Sequence, residues 1–380
     1  MKYDWIYLIK HLRQARPDLC ISSEDEICSL VNDFTLHNED VMEAFAELRK
    51  MFGESMRLSD HVIFLFGNGA SMYAGSRSTM EFSLKRYVED SEFNSIKSEM
   101  ARISDNVSGG IENQLNALNA AMMLFNSIKD DREECVSRLI RRIKHDLIAD
   151  FVNSLNYDDL LFHKLMFNRL TNFGVLPRTQ IYTTNYDLAF EYIMDLLDIE
   201  YTDGFSGFVN RHFDSRVLAE NGKPLLVKLH GSVNWINEND RIKEIQPKFK
   251  EGRLRLENTD PVLIYPTSDK LYQTFSAPYS ELLRHMLGEM KNGSNTVVVL
   301  GYKYGDDHIN ETLFQALNNS NNRFYFFIYG DPDECAFIKK VSSLKSRSAD
   351  INILSGYVLP AFNVFVTKML PMAENRLQKQ

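Results

Sequence analysis

Four short stretches of this sequence end an apolar run in residues with chemical reach. "FLFGNGAS" leads into Gly67, Asn68, Gly69, Ala70 and Ser71, and "IYTTNYD" into Thr184, Asn185 and Asp187. "VKLHGS" leads into His230, Gly231 and Ser232, and "VVVLGYKYGDDHIN" into Gly301, Tyr302, Asp306, Asp307 and His308. A histidine with an ordinary pKa of roughly 6.5 is largely neutral at physiological pH and can accept a proton. An asparagine amide both donates and accepts hydrogen bonds, which suits it to orienting a hydroxyl. Glycines after a first strand let the backbone turn tightly beside a pyrophosphate, and amides at a following helix start favour its charge. Small and polar residues at four strand ends describe a cleft for a nucleotide.

Each stretch has a blander account. The glycines could form a mere strand-to-helix turn, since the third glycine of the dehydrogenase fingerprint is missing. Asn185 or Asp187 could cap the next helix, as could Asp307 or His308. His230 could simply end a strand. Local sequence leaves these alternatives open.

The elements that must hold these residues are legible as patterns. Short β-branched and aromatic runs at 61–66, 179–184, 225–230, 261–265, 296–301 and 323–330 predict buried strands. They alternate little between apolar and polar, so both faces must be covered, as in a parallel sheet flanked by helices. "NYDLAFEYIMDLLDI" predicts one such helix, burying Leu188, Tyr192, Ile193, Leu196 and Leu197; "DDHINETLFQAL" predicts another, burying Ile309, Leu313, Phe314 and Leu317. The expected fold is α/β: a doubly wound, Rossmann-like parallel sheet. A helical N-terminal segment spans 1–58, the α/β domain 59–333 with a helical insertion at about 85–170, and a C-terminal extension, 334–380, packs on the core.

Composition narrows the function classes. The chain has 380 residues, 44% of them hydrophobic and 25% charged, ample for a buried core without metal or disulfide support. A net charge of −9 argues against nucleic-acid binding over the whole surface. The basic run "RLIRRIKH" at 138–145 carries apolar residues at helical spacing and reads as a solvated helix face. Cys20, Cys28, Cys135 and Cys335 form no C-x-x-C pair, so neither a zinc site nor a disulfide framework is expected. No run approaches the ~20 apolar residues of a membrane span, and the N-terminus lacks a signal-peptide pattern, so a cytoplasmic protein is expected.

G-x-G-x-S, T-T-N-Y-D, K-L-H-G-S and G-Y-x-x-G-D-x-H-I-N, in this order, resemble the SIR2-like (sirtuin-related) family, over about residues 60–330. The likeness is greatest to its bacterial antiphage-defence branch, with "TDGFSG" and "LIYPTSDK" as supporting segments. The resemblance implies NAD+ as substrate and cleavage of its nicotinamide–ribose bond. It implies His230 as base or ribose partner and Asn185 as the residue orienting ribose and water. Gly67, Asn68, Gly69, Ala70, Ser71, Thr184, Asp187, Gly301 and Tyr302 would contact the dinucleotide.

Deacetylating sirtuins carry a four-cysteine zinc module after the catalytic histidine, and no cysteine lies between His230 and Thr296 here. That departure favours an NAD+ hydrolase over a protein deacylase; a non-catalytic NAD or ADP-ribose binding subunit is the remaining alternative. The family further implies a homo-oligomer with a separate regulatory partner such as a HerA-like ATPase. The 1–58 helices and the insertion are the candidate contact surfaces.

Overall fold

A computed structural model describes residues 39–77, 82–108, 110–220, 222–255, 261–264, 276–343, 349–356 and 361–372. The expected helices before residue 39, Cys20 and Cys28, and "LIYPTSDK" from Tyr265 onward lie outside the described residues.

In chain order, α1 (Glu39–Leu58) precedes β1 (His61–Phe66), and four helices follow: α2 (Lys97–Asn106), α3 (Gly110–Ile128), α4 (Arg132–Ser154) and α5 (Leu161–Phe173). Next come β2 (Thr179–Thr183), α6 (Ala189–Leu196), the short strands β3 (Phe205–Ser206) and β4 (His212–Phe213), and β5 (Leu225–Lys228). Two hairpins follow, β6 (Trp235–Glu238) with β7 (Arg241–Glu244) and β8 (Lys248–Lys250) with β9 (Arg253–Arg255). Then come α7 (Tyr279–Lys291), β10 (Asn295–Leu300), α8 (Asp307–Ala316), β11 (Arg323–Tyr329), α9 (Ala336–Ser342) and β12 (Asp350–Gly356), followed by a short helical segment from Phe362 to Met369.

Six parallel strands form the central sheet in the order β12-β11-β10-β1-β2-β5. From β1 the chain winds outward through β2 to β5, then returns beside β1 as β10 and winds the other way. The sheet is therefore doubly wound, and its switch point lies between β1 and β10, where ligands of such sheets bind.

Because side chains alternate across a strand, each strand feeds two cores. Phe64, Phe66, Ile181, Val298 and Leu300 pack with α1, α5 and α6 on one face. Ile63, Leu65, Val227, Val297 and Val299 pack with α7, α8 and α9 on the other. Each fully buried aliphatic or aromatic side chain contributes about 1.5–3 kcal/mol by leaving water. The insertion has a core of its own, centred on Phe93, Met100, Leu115, Leu139 and Ile143. Leu139, Ile143 and Leu147 of "RLIRRIKH" and its continuation are buried, while Arg138 and Arg142 pair with Glu134 and Asp146 at the surface. That run is a helix face.

Three expectations need correction. "PVLIY" is no sheet strand: of residues 261–264, Leu263 makes one isolated antiparallel bridge, to Gly231. The sixth strand is β12, from the C-terminal extension, which sits at the sheet edge and is only partly buried over its first half. Leu196 is 54% exposed; α6 buries Phe190 and Met194 instead, beside Ile193. The hydrophobic face of α6 is thus shifted toward its N-terminal half.

α1 packs on its own chain's sheet, burying Phe45, Leu48, Phe52 and Met56 at helical spacing. The C-terminal residues Phe362, Phe365, Val366 and Met369 join the same core, and Arg49 of α1 donates to the Lys368 carbonyl at 2.8 and 3.0 Å.

Candidate functional site

Strand register brings the four stretches together. Phe66 is level with Thr183 and with Leu300, and Thr183 with Lys228. The Thr184 N–H donates to the Phe66 carbonyl at 3.0 Å, Leu229 to Thr183 at 2.8 Å, and Gly67 to Leu300 at 3.2 Å. Gly67, Thr184, His230 and Gly301 therefore emerge along one edge of the sheet, at its carboxyl end and across its switch point.

The glycines serve the contact between two turns. The Gly69 N–H donates to the Gly301 carbonyl at 3.0 Å. A Cβ on Gly67 would lie 2.7 Å from the Tyr302 Cα and still closer to the Gly301 carbonyl; one on Gly69 would lie 2.7 Å from the Gly301 Cα. Gly301 has φ +70°, where side chains are strained. No α-helix follows β1 at once: two 3₁₀ turns, Asn68–Ala70 and Met72–Ala74, take its place. The amides of Gly67 and Gly69 are thus committed to the neighbouring turn. Asn68 accepts from Ser76 Oγ at 2.6 Å and donates to the Arg77 carbonyl at 3.2 Å, and Ala70 and Ser71 are buried.

The polar cluster at the end of β2 divides cleanly. Asp187 Oδ1 accepts the Ala189 N–H at 3.0 Å, so it satisfies the first amide of α6 from the position before the N-cap, Leu188. Asn185 does not cap. Its N–H donates to Thr183 Oγ1 at 3.0 Å and its Nδ2 to Ser71 Oγ at 3.2 Å, tying the second stretch to the first. Asn185 is 5% exposed, and its Oδ1 is buried with no hydrogen-bond partner. An orphaned acceptor of this kind costs about 1–3 kcal/mol unless something donates to it.

His230 is 4% exposed, and its Nε2 lies 3.2 Å from Nε2 of His308 in the first turn of α8. The third and fourth stretches are thereby joined. Beside His230, Ser232 donates to Asn234 Oδ1 at 2.6 Å, and the His230 carbonyl accepts the Ile264 N–H at 2.8 Å. The Tyr302 hydroxyl is taken up by the turn before α8: it meets the Asp306 carbonyl and the Asp306 N–H, both at 3.2 Å, and Asn310 Oδ1 at 3.3 Å. Tyr302 therefore shapes this turn with its side chain, and any ligand contact there falls to the backbone.

Sequence reasoning passed over Lys228, the last residue of β5. It is 4% exposed and lies 3.1 Å from Glu191 Oε1, and its Nζ also reaches the carbonyls of Tyr186 and Asp187. This lysine holds the turn that carries Asn185 and Asp187. Burial raises the Glu191 pKa above the ordinary value, with Lys228 opposing. The signal was one cation inside the apolar run "LLVKLH". His163 and Tyr73 were passed over too: the Tyr73 hydroxyl and His163 Nδ1 are 2.7 Å apart. Burial lowers the His163 pKa to about 3, so the ring is neutral.

Near the small strands, Arg211 pairs with Glu244 at 2.6 Å and with Asp203 of "TDGFSG". Burial, reinforced by Glu244 and opposed by Arg211, pushes the Asp203 carboxyl up to about 7. Among the described residues, no group of three or more His, Cys, Asp or Glu side chains is placed to hold a metal ion, and no helix is long and apolar enough to cross a membrane.

No curated protein matches this chain in sequence. Among solved structures, a Sir2 homologue in complex with NAD aligns at 13% identity over 84% of this chain and 94% of its own, with a TM-score of 0.41. Sir2Tm bound to a propionylated peptide aligns at 13% identity over 83% and 96%, with a TM-score of 0.36. Residues 179–351 match the family described as the SIR2-like domain, a span that takes in Asn185, His230 and Gly301 and stops short of the Gly67–Ser71 turn.

Proposed function

We propose that the protein is an NAD+ glycohydrolase, releasing nicotinamide and ADP-ribose, and that it acts in antiphage defence by depleting NAD+. The observation that carries the reading is the buried, unpartnered Asn185 Oδ1 just past β2, one strand from the switch point, with a buried histidine just past the neighbouring strand β5. A ribose hydroxyl or the attacking water is the donor such an acceptor lacks. Ser71 fixes the amide through Nδ2, so Oδ1 is presented in one orientation.

Nicotinamide leaves NAD+ as a neutral molecule through an oxocarbenium-like state, so no strong general acid is required. The site must position ribose, exclude bulk water and supply a base to the attacking group. Asn185 orients the ribose and water, and His230 takes the proton. Gly67, Asn68, Gly69, Ala70, Ser71 and the Gly301-Tyr302 turn form the floor beneath the dinucleotide. The glycines let the two turns close on each other there, while Thr184 and Asp187 fix its edge.

The segment from Ser232 to Arg255 is built from hairpins rather than a cysteine-held module, which supports hydrolysis over deacylation. A homo-oligomer and a separate partner such as a HerA-like ATPase, in a cytoplasmic setting, complete the proposal. The outward row Met123, Leu124 and Ile128 on α3 is apolar and exposed, which supports assembly through the insertion. The test is nicotinamide release from NAD+ by the purified protein, alone and with the product of the adjacent gene. Release without an acylated peptide is expected. Turnover that requires an acetyl-lysine peptide, or stoichiometric zinc by metal analysis, would replace the hydrolase with a deacylase.

A further inference from the structure

His308 brings a second imidazole to the site. Its Nε2 and that of His230 are 3.2 Å apart, with ring centroids separated by 5.3 Å and planes inclined at 44°. Nitrogens at that distance share one proton: one ring donates and the other accepts. Charging both rings at once would set two like charges 3.2 Å apart, which opposes double protonation.

The two rings differ in surroundings. His230 is buried at the end of the β5 run, whereas His308 is half-buried and lines an open cavity of about 730 Å³. Asp307 and Glu311 of α8, Lys340 of α9, Ser280 of α7 and Tyr304 line the same cavity. A proton arriving at His230 thus has a second imidazole beside it, and that imidazole borders an open, largely apolar space that also carries Asp307, Glu311 and Lys340.

We propose that His308 is the proton outlet of His230, a positioning residue that acts through it; this rests on the glycohydrolase reading above. His230 Nε2 donates to His308 Nε2 in the resting state. As the attacking water forms its bond to the ribose carbon, the nicotinamide–ribose bond breaks and its electron pair leaves with neutral nicotinamide. The water's proton enters His230 at Nδ1, and the His230 Nε2 proton passes to His308. His308 then releases the proton on its other nitrogen to the cavity, which leaves both rings neutral with their tautomers exchanged. Loss of the His230 Nδ1 proton, gain of one at the outer nitrogen of His308 and return of the shared proton restore the resting pair. NAD+ and water thereby give ADP-ribose, nicotinamide and one proton.

The experiment combines ¹⁵N-histidine spectra across pH with the pH–rate profile for nicotinamide release, in wild type, His308→Gln and His308→Ala. In the wild type the pair should protonate in two separated steps. In both variants His230 should titrate in one step, turnover should fall by roughly tenfold or more, and the acid limb of the profile should move. Added imidazole should restore turnover to His308→Ala through the open cavity. His308→Gln keeps similar bulk and serves if the alanine variant fails to fold. A His230 titration and pH profile identical to wild type in either variant would overturn the relay and leave the hydrolase reading intact. Two-step titration in a wild type that never releases nicotinamide would uphold the shared proton and remove the hydrolase.

Discussion

Asn185 donates from Nδ2 to the Ser71 hydroxyl at 3.2 Å, while its equally buried Oδ1 is left without a donor. One amide is thus half-satisfied by the fold and half-reserved. Asn185→Ala should lower nicotinamide release by about 10²–10⁴, as loss of a positioning or acid–base group does. It should leave the melting temperature unchanged or slightly raised, because it removes an orphan that costs about 1–3 kcal/mol. Ser71→Ala should cost about 1 kcal/mol and weaken turnover less. Calorimetry and turnover on the same preparations separate these outcomes, and a large loss of stability in Asn185→Ala would return the residue to a structural role.

The contact between the Gly67–Gly69 turn and the Gly301 turn makes a different forecast. Gly67→Ala must push its Cβ into the Tyr302 backbone, and Gly301→Ala adds strain at φ +70°. Each should cost a few kcal/mol and weaken NAD+ binding together with stability. Gly288→Ala in α7 meets no atom within 4 Å and should stabilise by about 0.5–1 kcal/mol. Thermal melts of the three variants, read against NAD+ affinity, decide whether the two turns form one unit.

Lys228→Met should be severe, because it removes the cation that faces the largely buried Glu191; breaking such a pair costs up to about 3–5 kcal/mol. Adding Glu191→Leu should recover most of the stability, since a whole buried pair can be replaced by apolar groups at little net cost. Turnover should stay low in the double variant, because the ammonium no longer holds the Tyr186 and Asp187 carbonyls. Recovery of both stability and rate would show that Lys228 does not position the turn.

Asp203 supplies a pH dependence. Its folded pKa of about 7 lies above the ordinary 3.8, so the folded protein holds this proton more tightly than the unfolded chain does. The stability it contributes is full below about 4 and is lost as pH rises toward and through 7. Asp203→Asn, which imitates the protonated acid, should therefore gain melting temperature relative to wild type as pH rises from 5 to 8. A constant difference across that range would contradict the raised pKa.

Much of this molecule was determined locally. The apolar runs of β1, β2, β5, β10 and β11, the helices between them and the polar residues at their ends are written in spacing and residue type, because backbone pairing and burial impose periods that a short window records. Asn185 and His230 were legible for the same reason, as polar side chains placed where buried strands stop. Tertiary structure decided the rest. β12 escaped notice because its first half is only partly buried, so "DINILSG" shows no strong apolar run, while residues 261–264 are apolar without joining the sheet. Asp187 turns to the first amide of α6 and Asn185 does not, a distinction that depends on Ser71 arriving from the turn after β1. The pairing of His230 with His308, the hold of Lys228 on the turn from Tyr186 to Asp187, and the mutual fit of Gly67, Gly69 and Gly301 all join segments at the ends of separate strands. Such contacts follow from strand order and register, which no local pattern encodes.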